Sequence, residues 1–293
     1  MQQSVFYFRD EESQALALAN ALGCSSAQID LHRFPDGESL LTLSTAIPQH
    51  LLMYRGLDHP NEKIVELILC CASARKKGVQ RISLITPYLC YMRQDRENHP
   101  GEVVSQSIIG ELLSEYIDDI ITVDPHLHRI HDLHQAYPLQ HALSLSAAEL
   151  IGAYLKKNFP KCLLIGPDEE SEQWVSVAAN IAGLDYCVAS KIRMGDRKVE
   201  IELPSEDYAG RNIVLVDDMI SSGGTIINIA RQLTARKAQI KACIVTHCLC
   251  SPDDEKNIVA AGVPTVISCD SISHHTNHIA LTDLLAEAIR KIN

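Results

Sequence analysis

Residues 213–225 read IVLVDDMISSGGT, and the fold of the whole chain can be argued outward from them. Ile213, Val214, Leu215 and Val216 run without a polar break, as in a parallel strand buried on both faces. Asp217 and Asp218 follow and mark that strand's C-terminal end. Ser221, Ser222, Gly223, Gly224 and Thr225 come next, and then Ile226, Ile229, Ala230 and Leu233 recur at helical spacing. A strand feeding a Gly-rich turn and then a helix makes an anion cradle. Backbone N–H groups converge there, hydroxyls add donors, and the helix N-terminus carries partial positive charge. Carboxylates repel phosphate, so the two acids are read as holders of sugar hydroxyls or of Mg²⁺ beside it. The turn ends in neither the Gly-Lys-Ser/Thr of a Walker loop nor a GxGxxG dinucleotide turn.

The rest of the chain repeats this alternation. Strands are expected at 5–8, 81–86 and 120–123 in the first half, with helices over 61–77 and around Val104, Ile108, Leu112 and Leu113. The second half gives helices over 147–157 and 172–182, with strands at 162–165, 186–189, 213–216, 242–246 and 265–268. Strands alternating with helices predict an α/β protein built on mostly parallel sheets flanked by helices. The pattern weakens around Pro138, which divides the chain into an expected 1–142 domain and a 143–293 domain.

Composition narrows the function classes. The 293 residues are 46% hydrophobic and 22% charged, as in an ordinary globular protein. No run approaches the roughly 18–20 apolar residues that span a bilayer. MQQSVFYFRDEE has no signal-peptide core, and ten cysteines without CxxC pairs fit a reducing cytoplasm. A net charge of −11 argues against a nucleic-acid surface, so any anion must be held by local cations or Mg²⁺.

Other clusters also follow strand ends, the edge where open parallel sheets bind ligands. Phe34, Asp36 and Glu38 in FPDGE combine a ring that can stack on a base with acceptors for an exocyclic amine. A turn with Phe34 tucked into the core is the competing reading. Arg93, Gln94, Asp95 and Arg96 place two forked guanidiniums where a polyphosphate could be gripped, or form a surface charge cluster. His126 follows the next strand, with His128, His131 and His134 after it. Their spacing off a strand end, with no Cys nearby, speaks against a zinc cage. Asp168 follows the 162–165 strand in GPD. Lys191 and Arg193 end the strand that starts near Tyr186, ahead of a loop (194–198) reaching toward the sheet edge, or ahead of a solvated hairpin. Cations there would stabilise charge on a transferring phosphoryl group.

Taken together and in this order, the segments resemble the ribose-phosphate pyrophosphokinase (PRPP synthase) family over nearly the whole chain, nearer its archaeal-type branch. The resemblance implies two similar phosphoribosyltransferase-like domains, with ATP on the N-terminal side and ribose 5-phosphate on the C-terminal side. Phe34, Asp36 and Glu38 match the adenine loop, which in that family reaches a neighbouring subunit, so a homodimer or higher oligomer is implied. Arg93, Gln94, Asp95, Arg96 and His126 match the ATP-phosphate segments. His126 and Asp168 match metal-associated positions for Mg²⁺. Lys191 and Arg193 match the catalytic Lys-x-Arg pair. Asp217, Asp218, Ser221, Ser222, Gly223, Gly224 and Thr225, together with Arg193, match the ribose 5-phosphate site. The chain departs from the family in Glu169-Glu170 where a Gly-Gly pair is usual, in the segment after His126, and in Ser221 where many members carry Asp.

The activity implied is transfer of the diphosphoryl group of ATP to the 1-hydroxyl of ribose 5-phosphate, giving PRPP and AMP. A PRPP-consuming phosphoribosyltransferase would use the same turn but would not need a second, similar half. A catalytically silent regulatory relative is the third reading.

Overall fold

A computed structural model describes residues 2–97, 99–127, 132–193 and 199–292, without the side chains of 191–193, 199 and 200. It divides into two compact units, one formed by residues up to Leu145 and by the C-terminal helix, the other by Ser146–Ala280.

In the first unit the chain runs β1 (Gln3–Phe8), α1 (Glu12–Leu22), β2 (Ser25–Arg33), β3 (Ser39–Thr42), β4 (His50–Tyr54), α2 (Pro60–Lys76), β5 (Arg81–Ile85), α3 (Ser105–Ser114), β6 (Asp119–Val123) and β7 (His141–Leu145). The seven strands lie in the order β3-β2-β1-β4-β5-β6-β7. All neighbours are parallel except the β2–β3 hairpin. The central strands are solidly apolar because helices cover both faces; Leu51, Leu52, Met53, Leu84 and Ile120 are wholly buried.

Strand order reverses between β1 and β4, and an ionic network occupies their exits. Arg55, just past β4, bonds Asp10 at 2.8 Å, Glu11 at 3.2 Å and Glu66 at 3.2 Å, and its guanidinium lies 4.0 Å from the Phe8 ring centre. Glu11 also accepts from the Gly56 N–H. Burial outweighs Arg55 here and pushes the Glu11 carboxyl from its ordinary 4.5 up to about 7.

In the second unit the order is α4 (Ala148–Asn158), β8 (Leu163–Gly166), α5 (Glu172–Ala182), β9 (Tyr186–Val188), β10 (Ser190–Arg193), β11 (Val199–Glu202), β12 (Asn212–Ile220), α6 (Gly224–Ala235), β13 (Gln239–Cys248), α7 (Pro252–Ala260), β14 (Val266–Cys269) and β15 (Asn277–Ile279). Six strands form a parallel sheet, β15-β14-β13-β12-β8-β9, and β10–β11 form a separate antiparallel ribbon. Helices α4 and α5 pack closely because Gly152 has no Cβ; one added there would meet Ile181 Cβ at 2.7 Å and the Ala178 carbonyl at 2.8 Å.

The last helix, α8 (Thr282–Ile292), belongs to the first unit, not to the second as the expected 143–293 domain has it. It buries Leu285, Ala286, Ala288 and Ile289, packs on α1, and its Ile292 carbonyl accepts from Arg81 at 3.0 Å.

Because the native Glu11 holds its proton up to about pH 7 and the unfolded one releases it near 4.5, the wild type loses stability as pH rises between those values. Glu11→Gln is therefore expected to gain on wild type by up to a few kcal/mol between pH 5 and pH 8. Urea unfolding at the two pH values measures this, and a pH-independent difference would contradict it.

Candidate functional site

The second unit's strand order reverses between β8 and β12, and the expected anion-holding residues lie at that switch point. β12 is longer than its apolar run suggests. It continues through Asp217, Asp218 and Met219, pairing Asp217 with Val245 and Ile220 with Cys248. The acids thus sit on the last rungs of the ladder rather than beyond it. Asp218 is buried at 3% exposure, whereas Asp217 is half-buried and accepts from the Asp218 N–H at 3.0 Å. Of the pair, Asp217 is the more exposed.

The turn after β12 has the geometry that its glycines predict. Gly223 adopts φ +76°, the left-handed region, and stands at the N-cap of α6. A Cβ there would meet Ile258 Cδ1 and Cγ1 of α7 at 2.7 Å, so glycine is required twice over. The N-cap residue, being glycine, supplies no side-chain cap to the first-turn amides of α6. Ser221, Ser222 and Gly224 are exposed, Thr225 is half-buried, and the space where a Gly224 Cβ would stand is open. Hydroxyls and N–H groups around an open glycine at a helix N-terminus suit a phosphate.

Asp168 follows β8 on the other side of the switch point, and the short turn after it packs against β12. Asp168 is half-buried and closes a capping box: Oδ1 accepts from the Ser171 N–H at 3.1 Å, and its own N–H donates to Ser171 Oγ at 3.4 Å. Lys191 and Arg193 fall in β10, in register with Ile201 and Val199. The expected strand from Tyr186 through Arg193 is two strands: the chain leaves the sheet at Ala189, whose N–H bonds the Gly166 carbonyl at 2.9 Å. β10 and β11 pair antiparallel, and residues 194–198, on which the loop and solvated-hairpin readings fall, lie outside the described ones.

In the first unit, residues 34–38 connect β2 to β3. The Phe34 N–H bonds the Glu38 carbonyl at 2.8 Å and the Glu38 N–H bonds Asp36 Oδ1 at 3.2 Å. Phe34 is 42% exposed, so its ring is not tucked into the core; its only ring contact among the described residues is His32, at 5.0 Å edge-on. Arg93 and Arg96 are exposed in the segment after β5. Gln94 is pinned by donating to the Arg96 carbonyl at 3.0 Å and by its own carbonyl accepting from the Gln106 N–H at 3.2 Å; Asp95 beside it is half-buried. His126 follows β6 in a left-handed conformation, φ +54°, directly after Asp124 at φ +39° and Pro125. Two such residues flanking one proline mark a constrained bend at a strand exit.

His134 is engaged by Asp132 at 2.7 Å, and His128 and His131 lie outside the described residues. No group of three or more His, Cys, Asp or Glu among the described residues could cage a metal. Asp168 and Asp217, one on each side of the switch point, are carboxylate oxygen donors of the kind that suits Mg²⁺, which binds through one or two carboxylates and keeps much of its hydration.

Sequence reasoning passes over the cavity of about 650 Å³ at the first unit's own switch point, lined by Asp10, Asp30, Arg33, Arg55, Glu62 and Lys63 among others. Its signal was a lone Arg55 after the apolar run HLLMY. Arg33, Arg55 and Lys63 are each already paired with carboxylates, which leaves Arg9 and His59 as the other basic residues of its lining.

Two family profiles match: "N-terminal domain of ribose phosphate pyrophosphokinase" over residues 4–116 and "Phosphoribosyl transferase domain" over 138–283. A ribose-phosphate pyrophosphokinase of Methanopyrus kandleri is 31% identical over 283 residues, 94% of each chain. The chain belongs to the ribose-phosphate pyrophosphokinase family. A relative of the same name from Methanosarcina acetivorans is 30% identical over 286 residues, covering 96% of this chain and 97% of that one. In fold, the chain is similar to phosphoribosylpyrophosphate synthetase from Mycobacterium smegmatis, with a TM-score of 0.83 and 20% identity over 100% of this chain and 99% of that one. Within the family, the two-unit α/β architecture expected from the motifs is the observed one.

The two glycines of the turn should respond differently to a methyl group. Gly223→Ala incurs left-handed strain of about 1–2 kcal/mol and the Ile258 clash, so its urea midpoint should fall clearly. Gly224→Ala meets open space and should keep its midpoint while losing affinity for inorganic phosphate in equilibrium titration. Equal destabilisation of both would contradict this reading of the turn.

Proposed function

We propose that the protein transfers the β,γ-diphosphoryl group of Mg-ATP to the 1-hydroxyl of ribose 5-phosphate, giving PRPP and AMP. The observation that carries this reading is the glycine-capped α6 N-terminus behind an open glycine turn, with Asp217 at its entrance, in a chain whose full-length relatives are ribose-phosphate pyrophosphokinases.

In this reading residues 221–225 hold the 5-phosphate, and Asp217 holds ribose hydroxyls or their metal. Asp218, buried behind it, fixes the end of β12. Arg93, Gln94, Asp95 and Arg96 orient the triphosphate, with His126 beside it. Phe34, Asp36 and Glu38 take the adenine, and the exposure of that loop suits an adenine held at a neighbouring copy, which requires at least a dimer. When bound, Mg²⁺ neutralises triphosphate charge, and His126 and Asp168 are the residues assigned to it.

The 1-hydroxyl oxygen attacks the β-phosphorus and gives up its proton to solvent, the bond to the α,β-bridging oxygen breaks, and AMP departs. Lys191 and Arg193 offset the charge that moves onto the bridging and β-oxygens. Positioning and electrostatics carry such a step, so no strong general base is assigned.

Incubation with Mg-ATP and ribose 5-phosphate alone should yield AMP and PRPP. A phosphoribosyltransferase or a silent relative would yield no AMP, and that result would overturn the proposal. Lys191→Ala should lower AMP formation by roughly 10²–10³-fold, the scale of losing one transition-state donor, with an unchanged urea midpoint.

A further inference from the structure

The end of β13 carries a feature that the proposed reaction does not use. Cys248 is its last residue and Cys250 follows after one intervening residue, immediately before Ser251, the N-cap of α7. Both thiols are buried, at 2% and 6% exposure, and they are hydrogen-bond partners of one another. Around them, His274 Nε2–H donates to the Cys250 carbonyl at 3.3 Å, and the Thr276 hydroxyl, 2.8 Å from His274 Nδ1, lies within reach of Cys248. The Cys250 thiol first, then the Cys250 N–H, the Thr276 hydroxyl and the nearby His274, pull the Cys248 thiol below the ordinary thiol range against the opposing effect of its burial. The adjacent pair Cys70 and Cys71 is the opposite case, both raised by burial.

The pair is mechanically joined to the turn at two points. Cys248 is in register with Ile220, the residue before Ser221, and the N–H of Leu249, between the two cysteines, bonds the Ile220 carbonyl at 2.8 Å. Helix α7, which starts just after Cys250, presses Ile258 against Gly223.

We propose that Cys248 and Cys250 are a peroxide-sensitive dithiol whose disulfide disables the neighbouring phosphate-holding turn. Residues two apart in an extended strand have Cα atoms about 6.6–6.8 Å apart, at the far limit of what a disulfide spans. Closing the bond draws them together and buckles the chain at Leu249. That bend pulls on the Ile220 carbonyl and shifts the start of α7 behind Gly223. A bond formed under such strain is readily reduced, so the change is reversible by thiols.

The chemistry balances with hydrogen peroxide as oxidant. The Cys248 thiolate attacks one peroxide oxygen; an S–O bond forms, the O–O bond breaks, and the departing hydroxide takes up the thiol's proton as water. The Cys250 sulfur then attacks the sulfenic sulfur. The S–S bond forms, the S–O bond breaks, and a second water leaves with the Cys250 proton. Two electrons pass from the thiols to peroxide.

The effect on activity rests on the proposed diphosphokinase reading, so the test carries readouts independent of it. The full chain is reduced, treated with hydrogen peroxide, and split for non-reducing peptide mapping, titration with inorganic phosphate, and AMP formation from Mg-ATP and ribose 5-phosphate. Expected are loss of two hydrogen atoms from the peptide holding both cysteines, weakened phosphate binding, and a fall in turnover on the order of a hundredfold, as for an ~1 Å misplacement. Dithiothreitol should restore all three. Cys250→Ser should keep its activity under peroxide, and the mapping on the unsubstituted chain stands even if that variant folds poorly. Alkylatable Cys248 and Cys250 after peroxide, a disulfide that leaves phosphate binding unchanged, or equal inactivation of folded Cys250→Ser would each overturn the proposal. A reduced protein inert toward both substrates would instead overturn the reaction, while mapping and phosphate binding still decide the switch.

Discussion

The ladder between β12 and β13 is the constraint on which the candidate site depends. It runs from Asn212 opposite Gln239 to Ile220 opposite Cys248, well past the point where the aliphatic run of β12 gives out. Each rung adds only about 1 kcal/mol net, but together they carry two acids and the entry to the glycine turn on rigid backbone. Burial of Asp218 is a cost that such a ladder can offset; a free loop would have turned it toward water. The same ladder aligns Leu249 with Ile220, so the second strand's exit is tied to the first strand's turn.

The two units show how one architecture is used differently. Each has a parallel sheet whose strand order reverses once, and in each the reversal opens a crevice at the strands' C-terminal ends. In the second unit that crevice presents a helix N-terminus with a glycine cap and an open glycine after it. In the first, Arg55 is walled in by Asp10, Glu11 and Glu66, and its cationic capacity is consumed internally. The residues proposed for the nucleotide in that unit instead lie after β5, after β6 and in the β2–β3 turn. On that proposal a shared fold does not carry a shared ligand position.

Much of this was legible in the sequence because the central strands are long apolar runs and the ligand-facing residues stand at their ends. The turn at Gly223 was readable for a physical reason: a left-handed φ with no room for a Cβ favours glycine. What was not readable depended on partners far along the chain. The extension of β12 through Asp217 and Asp218 is dictated by the length of β13, and adjacent carboxylates look like a surface in isolation. The end of β9 at Ala189 follows the last bond to the sheet, made to the Gly166 carbonyl on a strand distant in sequence. Arg55 looks solvent-bound until Asp10, Glu11 and Glu66 converge on it from two other elements. Asp168 has a visible role as a helical cap as well as its assigned one, and no local pattern separates the two.

The return of α8 to the first unit has a topological meaning. Residues 146–280 are an insertion within a discontinuous host, and the polypeptide crosses between the units on two covalent strands instead of one. The host is unfinished until the C-terminal helix has been synthesised, because α1 otherwise lacks the apolar stripe of Leu285 and Ile289. Dividing the gene after Leu145 would thus leave the host without its C-terminal helix, not separate one domain from another.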